Sequence, residues 1–404
     1  MKFNFKAEDK KGRILEGVAE APDKFSLASQ IRKEGKNVIL VKEIKTKKFF
    51  DIDALNEILA KVKLHDKIVF TRNLSAMVEA GLSLPRALNT LQRQTKNLKF
   101  KKILKILSEK INKGETLSSG MAEFPKVFSS LFVSMVKAGE ESGGLSESLR
   151  VIGSHLEKSY NLKRKVRGAL MYPAIIIVAM FIIGILMLIN VVPTLTSTFS
   201  ELNVELPTST QFIISFSDFL IAHTLLFLSI VVSVILFVSF TLQTKKGKRF
   251  FDFVALHLPL VSNLVKEYNS ALTARSLSSL LSSGLDIVES IEIVSMVVQN
   301  SYYREVLKKA KEGVQKGNPL SRSFMEREDL YPILMGEMVE VGEETGKTPG
   351  MLMRVAIFYE GEIDNTTKNM STIIEPFLMI IIGVVVGFFA ISMISPMYSL
   401  MDSI

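Results

Sequence analysis

The chain of 404 residues contains no cysteine and no tryptophan. Without cysteine, neither a disulfide framework nor a Cys-based zinc site can form. The four histidines are too scattered for metal-ligand spacing, and the sequence shows no Ser/His/Asp constellation or paired-carboxylate motif. We therefore assign no catalytic residue, no metal site and no cofactor, and we expect a protein that is not an enzyme.

Lysine and arginine are missing from two long stretches, residues 168–244 and 369–404, although the chain has 50 of them. Five of the 41 acidic residues lie in these stretches, so the remaining blocks, 1–167 and 245–368, carry a net charge of +14. The whole chain carries only +9. This segregation excludes a simple globular enzyme and indicates a membrane protein with most of its mass on one side.

Three apolar stretches are long enough to cross a bilayer, which takes about 20 residues. We predict transmembrane helices at 169–192, 219–242 and 372–395. A buried core helix is the alternative, but core helices rarely sustain such apolar length three times in one chain.

Basic residues flank the cytoplasmic ends of membrane helices. Lys163 to Arg167 precede the first predicted span, and Lys245 to Arg249 follow the second. We therefore expect a multi-pass protein of the cytoplasmic (inner) membrane with its N-terminus in the cytoplasm. The segment 193–218 and the tail 396–404 would lie outside. Residues 1–13 lack an apolar h-region, which argues against a cleaved signal peptide.

A direct repeat spans much of the chain, because a constant offset of 203 residues aligns two segments without a gap. Gly139-Glu-Glu-Ser-Gly143, for example, aligns with Gly342-Glu-Glu-Thr-Gly346, and Pro173 aligns with Pro376. Apolar residues recur at three- and four-residue steps in each copy, which predicts helices. Each copy is thus expected to be a cytoplasmic bundle of about six helices followed by one span. The second predicted span has no equivalent in the repeat. It brings the chain back across the membrane, so both copies face the same side.

The predicted fold class is an all-α membrane protein with two homologous cytoplasmic helical bundles, three transmembrane helices and a small α/β module at the N-terminus. The alternating residues near the N-terminus favour a β-hairpin, a helix and a strand in that module. The predicted cytoplasmic segments are the module at 1–45, a linker at 46–63, the first helical domain at 64–168 and the second at 243–371.

The Gly-Glu-Glu motifs are the first candidate site. The second one, followed by Lys347-Thr348, is similar to a phosphate-binding loop but has three residues between its glycines instead of four. Its adjacent glutamates would also repel phosphate. We favour a turn between helices, and we keep contact with a partner or a cation as the alternative. The candidate partner contacts are Glu140, Glu141, Glu343 and Glu344.

Glu375 is the single acidic residue inside a predicted span. It falls in the first turn of that span, next to Pro376, where the helix dipole favours a carboxylate. A structural role at the membrane interface is therefore expected. The alternative is a proton or ion relay in a small oligomeric carrier or channel, but no other ionisable side chain lies in the spans as a partner.

The positive charge of the cytoplasmic blocks could suggest nucleic acid as a ligand. Basic residues beside anionic lipid are the commoner cause, and the aromatic interleaving of a nucleic-acid interface is missing. We therefore expect contact with the lipid bilayer and no binding of nucleic acid.

Several motifs together resemble the type II secretion system protein F family, which includes the PilC platform proteins of type IV pili. They are FTRNLSAMVEAGLSLPRAL (70–88), GEESGGLSESL (139–149), LPLVSNLVKEYNSALTARSLSSLLSSG (258–284), GEETG (342–346) and IEPFLMIIIGVVVGFFAISMISPMY (374–398). The resemblance covers roughly residues 60–400.

The resemblance implies an assembly platform in the inner membrane of a type IV pilus or a type II secretion system. Such a platform would couple a cytoplasmic assembly ATPase to the extraction of pilin or pseudopilin subunits. It would also contact inner-membrane scaffold proteins, and a homo-oligomer is expected.

Overall fold

The computed structural model describes residues 2–8, 14–33, 35–43, 61–201, 206–259 and 261–401. Most of the predicted linker, 46–63, and the residues 402–404 of the predicted tail lie outside these ranges. The chain divides into two compact units, an N-terminal module and the helical remainder, and each is described by itself.

The N-terminal module is a three-stranded antiparallel sheet with one helix. Strands β1 (Lys2–Glu8), β2 (Ile14–Glu20) and β3 (Asn37–Glu43) pair in the order β2-β1-β3, and helix α1 is Lys24–Lys33. Side chains of a strand alternate between its two faces, so Phe3 and Ala7 lie on the same face of β1. There they pack with Leu27 and Ile31 of α1. The predicted hairpin, helix and strand are confirmed.

The helices of the first copy are α2 (Leu64–Glu79), α3 (Leu84–Gln94), α4 (Leu98–Asn112), α5 (Leu117–Ala122), α6 (Ser130–Glu141) and α7 (Leu145–Leu186). A π-helical turn, Met187–Val191, follows α7, and α8 (Val192–Glu201), α9 (Thr208–Ala222) and α10 (Thr224–Gln243) come next.

The second half begins with α11 (Lys245–His257). It continues with α12 (Val261–Ser282), α13 (Ile287–Val297), α14 (Ser301–Gln315), α15 (Leu320–Met325), α16 (Ile333–Glu344) and α17 (Thr348–Met401). Helices α13 to α16 begin and end 203 residues after α3 to α6, and α7 and α17 start at equivalent positions. The two copies therefore fold alike.

Equivalent side chains form the core of each copy. In α4, Phe100, Ile103, Leu104 and Leu107 are buried at the spacing of one helix face. The equivalent residues of α14, from Tyr303 to Ala310, are buried in the same way. Phe100 packs with Phe70 and Phe128 in the first copy, while Tyr303 packs with Tyr331 in the second. The hydroxyl of Tyr303 donates to the carbonyl of Leu330 at 2.5 Å, which satisfies this buried polar group.

Among the described residues, three helical stretches are long and apolar enough to cross a membrane. They lie within Leu145–Thr198, Thr224–Gln243 and Thr348–Ser392. The helix is interrupted at His223. The helix of the second predicted span therefore starts at Thr224 and not at 219, and residues 219–222 form the end of the preceding helix. The described part of 193–218, expected outside the membrane as a loop, is largely helical.

Two of these helices have no linker between their helical bundle and the predicted span. Helix α7 has 42 residues and α17 has 54, so at 1.5 Å per residue they are about 60 and 80 Å long. Each starts inside its bundle and continues into its apolar stretch.

Candidate functional site

Glu140 and Glu343 cap short helices inside their own copies. The carboxylate of Glu140 accepts hydrogen bonds from the backbone N–H groups of Leu117 and Ser118, at 2.5 and 3.0 Å. Glu343 accepts the equivalent bonds from Leu320 and Ser321, at 2.6 and 3.0 Å. These N–H groups begin α5 and α15, where they lack partners within the helix and where the dipole favours an anion.

The first glycine of each motif allows two helices to approach closely. A Cβ atom at Gly139 would lie 2.5 Å from Oγ of Ser148, and one at Gly342 would lie 2.8 Å from Cα of Thr348. The last glycines, Gly143 and Gly346, have φ angles of 73° and 68°, which only glycine adopts readily. The motif thus joins α6 to α7 and α16 to α17.

The second motif is a helix end and not a phosphate cradle. The N–H of Lys347 donates to the carbonyl of Gly342 at 2.8 Å, and the N–H of Gly346 donates to that of Glu343 at 3.4 Å. Both backbone N–H groups therefore donate within the turn, as in other helix ends that have a glycine in the left-handed conformation, and do not point at a ligand. The geometry supports the inter-helix turn over a nucleotide-binding loop.

Glu141 and Glu344 have a different environment from their neighbours. Both are exposed at the C-terminal ends of α6 and α16. Among the described residues, Glu141 makes only a long contact, 3.8 Å, with Lys137 of its own helix. The four candidate glutamates therefore fall into two structural caps and two side chains that are free to meet a partner. Contact with a partner stays a prediction.

Glu375 lies near the start of the apolar part of α17, and its side chain is exposed. Within the described part of the chain it has neither a hydrogen bond nor an ion pair. It is not brought together with any of the other candidate residues. Among the described residues, none is therefore paired with Glu375 as the relay of the carrier alternative would need.

The interface between the two copies contains groups that the sequence pattern did not single out. Helix α7 of the first copy packs against α12 and α17 of the second. His155 of α7 is buried there, and its Nδ1 has no hydrogen-bond partner within the described structure. Burial, together with the nearby charge of Arg275, lowers the pKa of His155 to about 4. His155 is therefore neutral at physiological pH.

Arg275 of α12 is itself buried, and its guanidinium donates to both carboxylate oxygens of Glu360 in α17. The offset of 203 residues makes Arg72 and Glu157 the equivalent pair, with a separation of 3.7 Å at the surface. The repeat alignment contained a signal for this pair, because the arginine and the glutamate are both present in each copy. Their different burial follows from packing between the copies.

An apolar groove separates the first and third spans. It has a volume of about 410 Å³ and is lined by Ile176, Ile183, Leu188, Val385 and Phe389, among others. Helix α9 contributes Ile213 to the lining of the groove, and the hydroxyl of Ser217 in α9 donates to the carbonyl of Leu188 in the π-helical turn at 2.5 Å. A π-helical turn leaves backbone carbonyls without regular helical partners, and this hydroxyl satisfies one of them.

No group of three or more His, Asp or Glu side chains suited to a metal ion occurs in the part of the chain that the structure describes. The described residues form contacts and surfaces that could serve a function: two capped turns, two exposed glutamates, an interface between the copies and an apolar groove between predicted spans.

Comparison with known proteins agrees with the repeat. The model of a family described as type II secretion system (T2SS), protein F matches residues 70–193 and 273–396, which are two segments 203 residues apart. The type IV pilus assembly protein PilC of Thermus thermophilus is 35% identical over 403 residues, covering 100% of this chain and 98% of the relative.

Two further relatives cover most of both chains. The type IV pilus assembly protein PilC of Myxococcus xanthus is 30% identical, over 100% of this chain and 95% of its own. The type II secretion system protein F of Vibrio cholerae is 28% identical, over 98% of this chain and 97% of its own.

Proposed function

Since the chain belongs to the type II secretion system protein F family, we propose that it is an inner-membrane assembly platform without catalytic activity of its own. The observation that carries the proposal is the similarity over essentially the whole chain to proteins named for pilus assembly and secretion. The architecture supports it, because two like helical bundles continue into membrane spans through unbroken helices.

We propose the type IV pilus as the first system to test, with the type II secretion system as the alternative. The identity to the type IV pilus assembly proteins of Thermus thermophilus and Myxococcus xanthus, 35% and 30%, exceeds the 28% to the secretion protein of Vibrio cholerae. Deletion of the gene should then abolish surface fibres, visible by electron microscopy, and leave secretion of folded proteins intact. A null strain that still assembles fibres would contradict the proposal.

The platform would be oriented with its N-terminus and both bundles in the cytoplasm. The basic residues beside the first two spans support this orientation, because lysine and arginine are retained on the cytoplasmic side. A periplasmic reporter enzyme fused after Ser200 should be active, and one fused after Leu242 should be inactive. Activity of the fusion after Leu242 would contradict the proposed topology.

In this role the bundles would receive motion from a cytoplasmic assembly ATPase and transmit it to spans that contact pilin or pseudopilin subunits. Inner-membrane scaffold proteins and a second copy of the chain are the other proposed partners. The continuous α7 and α17 support such coupling, since no flexible linker would absorb the displacement.

The exposed glutamates offer a test of the ATPase contact. Glu141→Lys and Glu344→Lys, introduced separately, should reduce co-purification of the assembly ATPase without lowering the thermal midpoint. Glu109→Lys is the matched control, because Glu109 of α4 is similarly exposed, 57% against 68% for Glu141. If all three variants co-purified equal amounts of the ATPase, neither glutamate would belong to the contact surface.

A further inference from the structure

A cavity of about 500 Å³ lies where the first span leaves its cytoplasmic bundle. It is lined by Lys163, Val166, Arg167, Leu170, Met171, Tyr268 and Gln299. The first five residues form one face of α7, since they are spaced at i, i+3, i+4, i+7 and i+8. Tyr268 in α12 and Gln299 before α14 form the opposite wall, so the cavity lies between the two copies.

The chemistry of the cavity changes along α7. Lys163 and Arg167 come first along the helix, and the apolar Leu170 and Met171 follow one turn deeper, where the span begins. A cationic end and an apolar end in one open cavity complement a headgroup phosphate and an acyl chain. The guanidinium of Arg167 can donate two parallel hydrogen bonds to phosphate oxygens. The hydroxyl of Tyr268 and the amide of Gln299 supply further donors.

The cations of this cavity are not neutralised. Neither Lys163 nor Arg167 has an ion-pair partner among the residues that the structure describes, and no acidic side chain lines the cavity. A neighbouring cavity is different: its Lys165 is paired with Asp364, and Glu360 also lines it.

The fold does not require these two cations. The positions equivalent to Lys163 and Arg167 in the second copy are Thr366 and Met370. The hydroxyl of Thr366 donates to the carboxylate of Glu267, and Met370 is buried. The second copy thus reaches the membrane through the same helix geometry with no charge at either position.

We propose that this cavity binds one anionic phospholipid, with the phosphate held by Lys163 and Arg167 and an acyl chain along Leu170 and Met171. Basic pockets beside spans on the cytoplasmic side are suited to anionic headgroups. The bound lipid would fill the space between the copies at the membrane surface. The inference does not depend on the proposed platform role.

Native mass spectrometry of the purified full-length chain tests the proposal. The protein is delipidated in detergent and then mixed with phosphatidylglycerol or with phosphatidylcholine. We expect one retained phosphatidylglycerol and no retained phosphatidylcholine. The Lys163→Gln/Arg167→Gln variant should retain at least about tenfold less phosphatidylglycerol. Each basic residue near a membrane contributes substantially to the attraction of anionic lipid.

Lys245→Gln/Lys246→Gln is the matched control, since it removes the same charge beside another span at exposed positions outside the cavity. It should retain the lipid like the unaltered protein. Tyr268→Phe removes one hydroxyl and should weaken retention a few-fold with the fold intact. Equal losses in the two double variants would overturn the proposal, because lipid retention would then reflect overall charge. Displacement of the lipid by inorganic phosphate alone would also overturn it, in favour of a free anion.

Discussion

Arg275 and Glu360 form a bidentate ion pair that is buried between α12 and α17, with side-chain exposures of 8% and 18%. The equivalent residues of the first copy, Arg72 and Glu157, form a pair with exposures of 64% and 46%. One pair of residue types, duplicated at a fixed offset, therefore occupies two electrostatic environments.

Removing one partner should have unequal effects in the two copies. Arg275→Leu leaves the carboxylate of Glu360 buried without its partner, and loss of about 3–5 kcal/mol of stability is expected for such a change. Arg72→Leu removes an exposed contact that contributes about 0–1 kcal/mol. Thermal unfolding of the purified variants in detergent should show a large decrease in midpoint for the first and little change for the second. Similar midpoints would show that burial does not distinguish the pairs.

His155 should make the stability depend on pH. Its pKa is lowered from 6.5 to about 4 by burial and by Arg275, so the unfolded chain binds more protons between these values. Its contribution to stability is therefore fully present above pH 6.5 and is lost as the pH falls towards 4. The full loss is on the order of 3 kcal/mol.

The His155→Leu variant separates this effect from the titration of carboxylates. Leucine fills a similar volume and cannot be protonated, so the decline in thermal midpoint between pH 6.5 and 4 should be shallower than in the unaltered protein. Parallel pH profiles for the two proteins would exclude His155 as the source.

Alanine at the first glycine of either motif should destabilise the chain. The added Cβ would overlap Ser148 in Gly139→Ala and the backbone of Thr348 in Gly342→Ala, and relieving such overlaps costs about 1–3 kcal/mol. Gly361→Ala is the control on α17, because nothing lies within 4 Å of its Cβ position and alanine favours helix. We expect a lower thermal midpoint for the first two variants and an unchanged or higher midpoint for the third.

The two capping glutamates should contribute unequally. Thr116 also caps α5, since its hydroxyl accepts a hydrogen bond from the N–H of Ser119, whereas Pro319 at the equivalent position of α15 makes no side-chain cap. Glu343→Ala should therefore lower stability more than Glu140→Ala, with losses of about 1–3 kcal/mol in each case. The exposed Glu141→Ala should leave the thermal midpoint unchanged. Amide exchange at Leu320 and Ser321 should also accelerate in Glu343→Ala.

The repeat accounts for how much of the fold could be predicted. Apolar periodicity and the turn glycines are properties of neighbouring residues, so they indicated the helices of both copies and the three apolar stretches. The continuity of α7 and α17 from bundle to span was not predicted, because each segment was identified by a different signal: amphipathic periodicity in the bundle and uniform apolarity in the membrane.

The candidate glutamates show where local patterns stop being informative. Glu140 and Glu141 are adjacent in a motif that reads alike in both copies, yet one caps α5 and the other is exposed. Which carboxylate points inward depends on where α5 packs against α6, and residues 22 or 23 positions apart determine that contact.

The sequence by itself determined the duplicated architecture and the segregation of charge, because both are written in residue type and spacing. Only the tertiary structure decided that Arg275 is buried while Arg72 is exposed, and that His155 lies against the second copy. Burial depends on how segments 85 or more residues apart pack together. No periodicity within either segment contains that information.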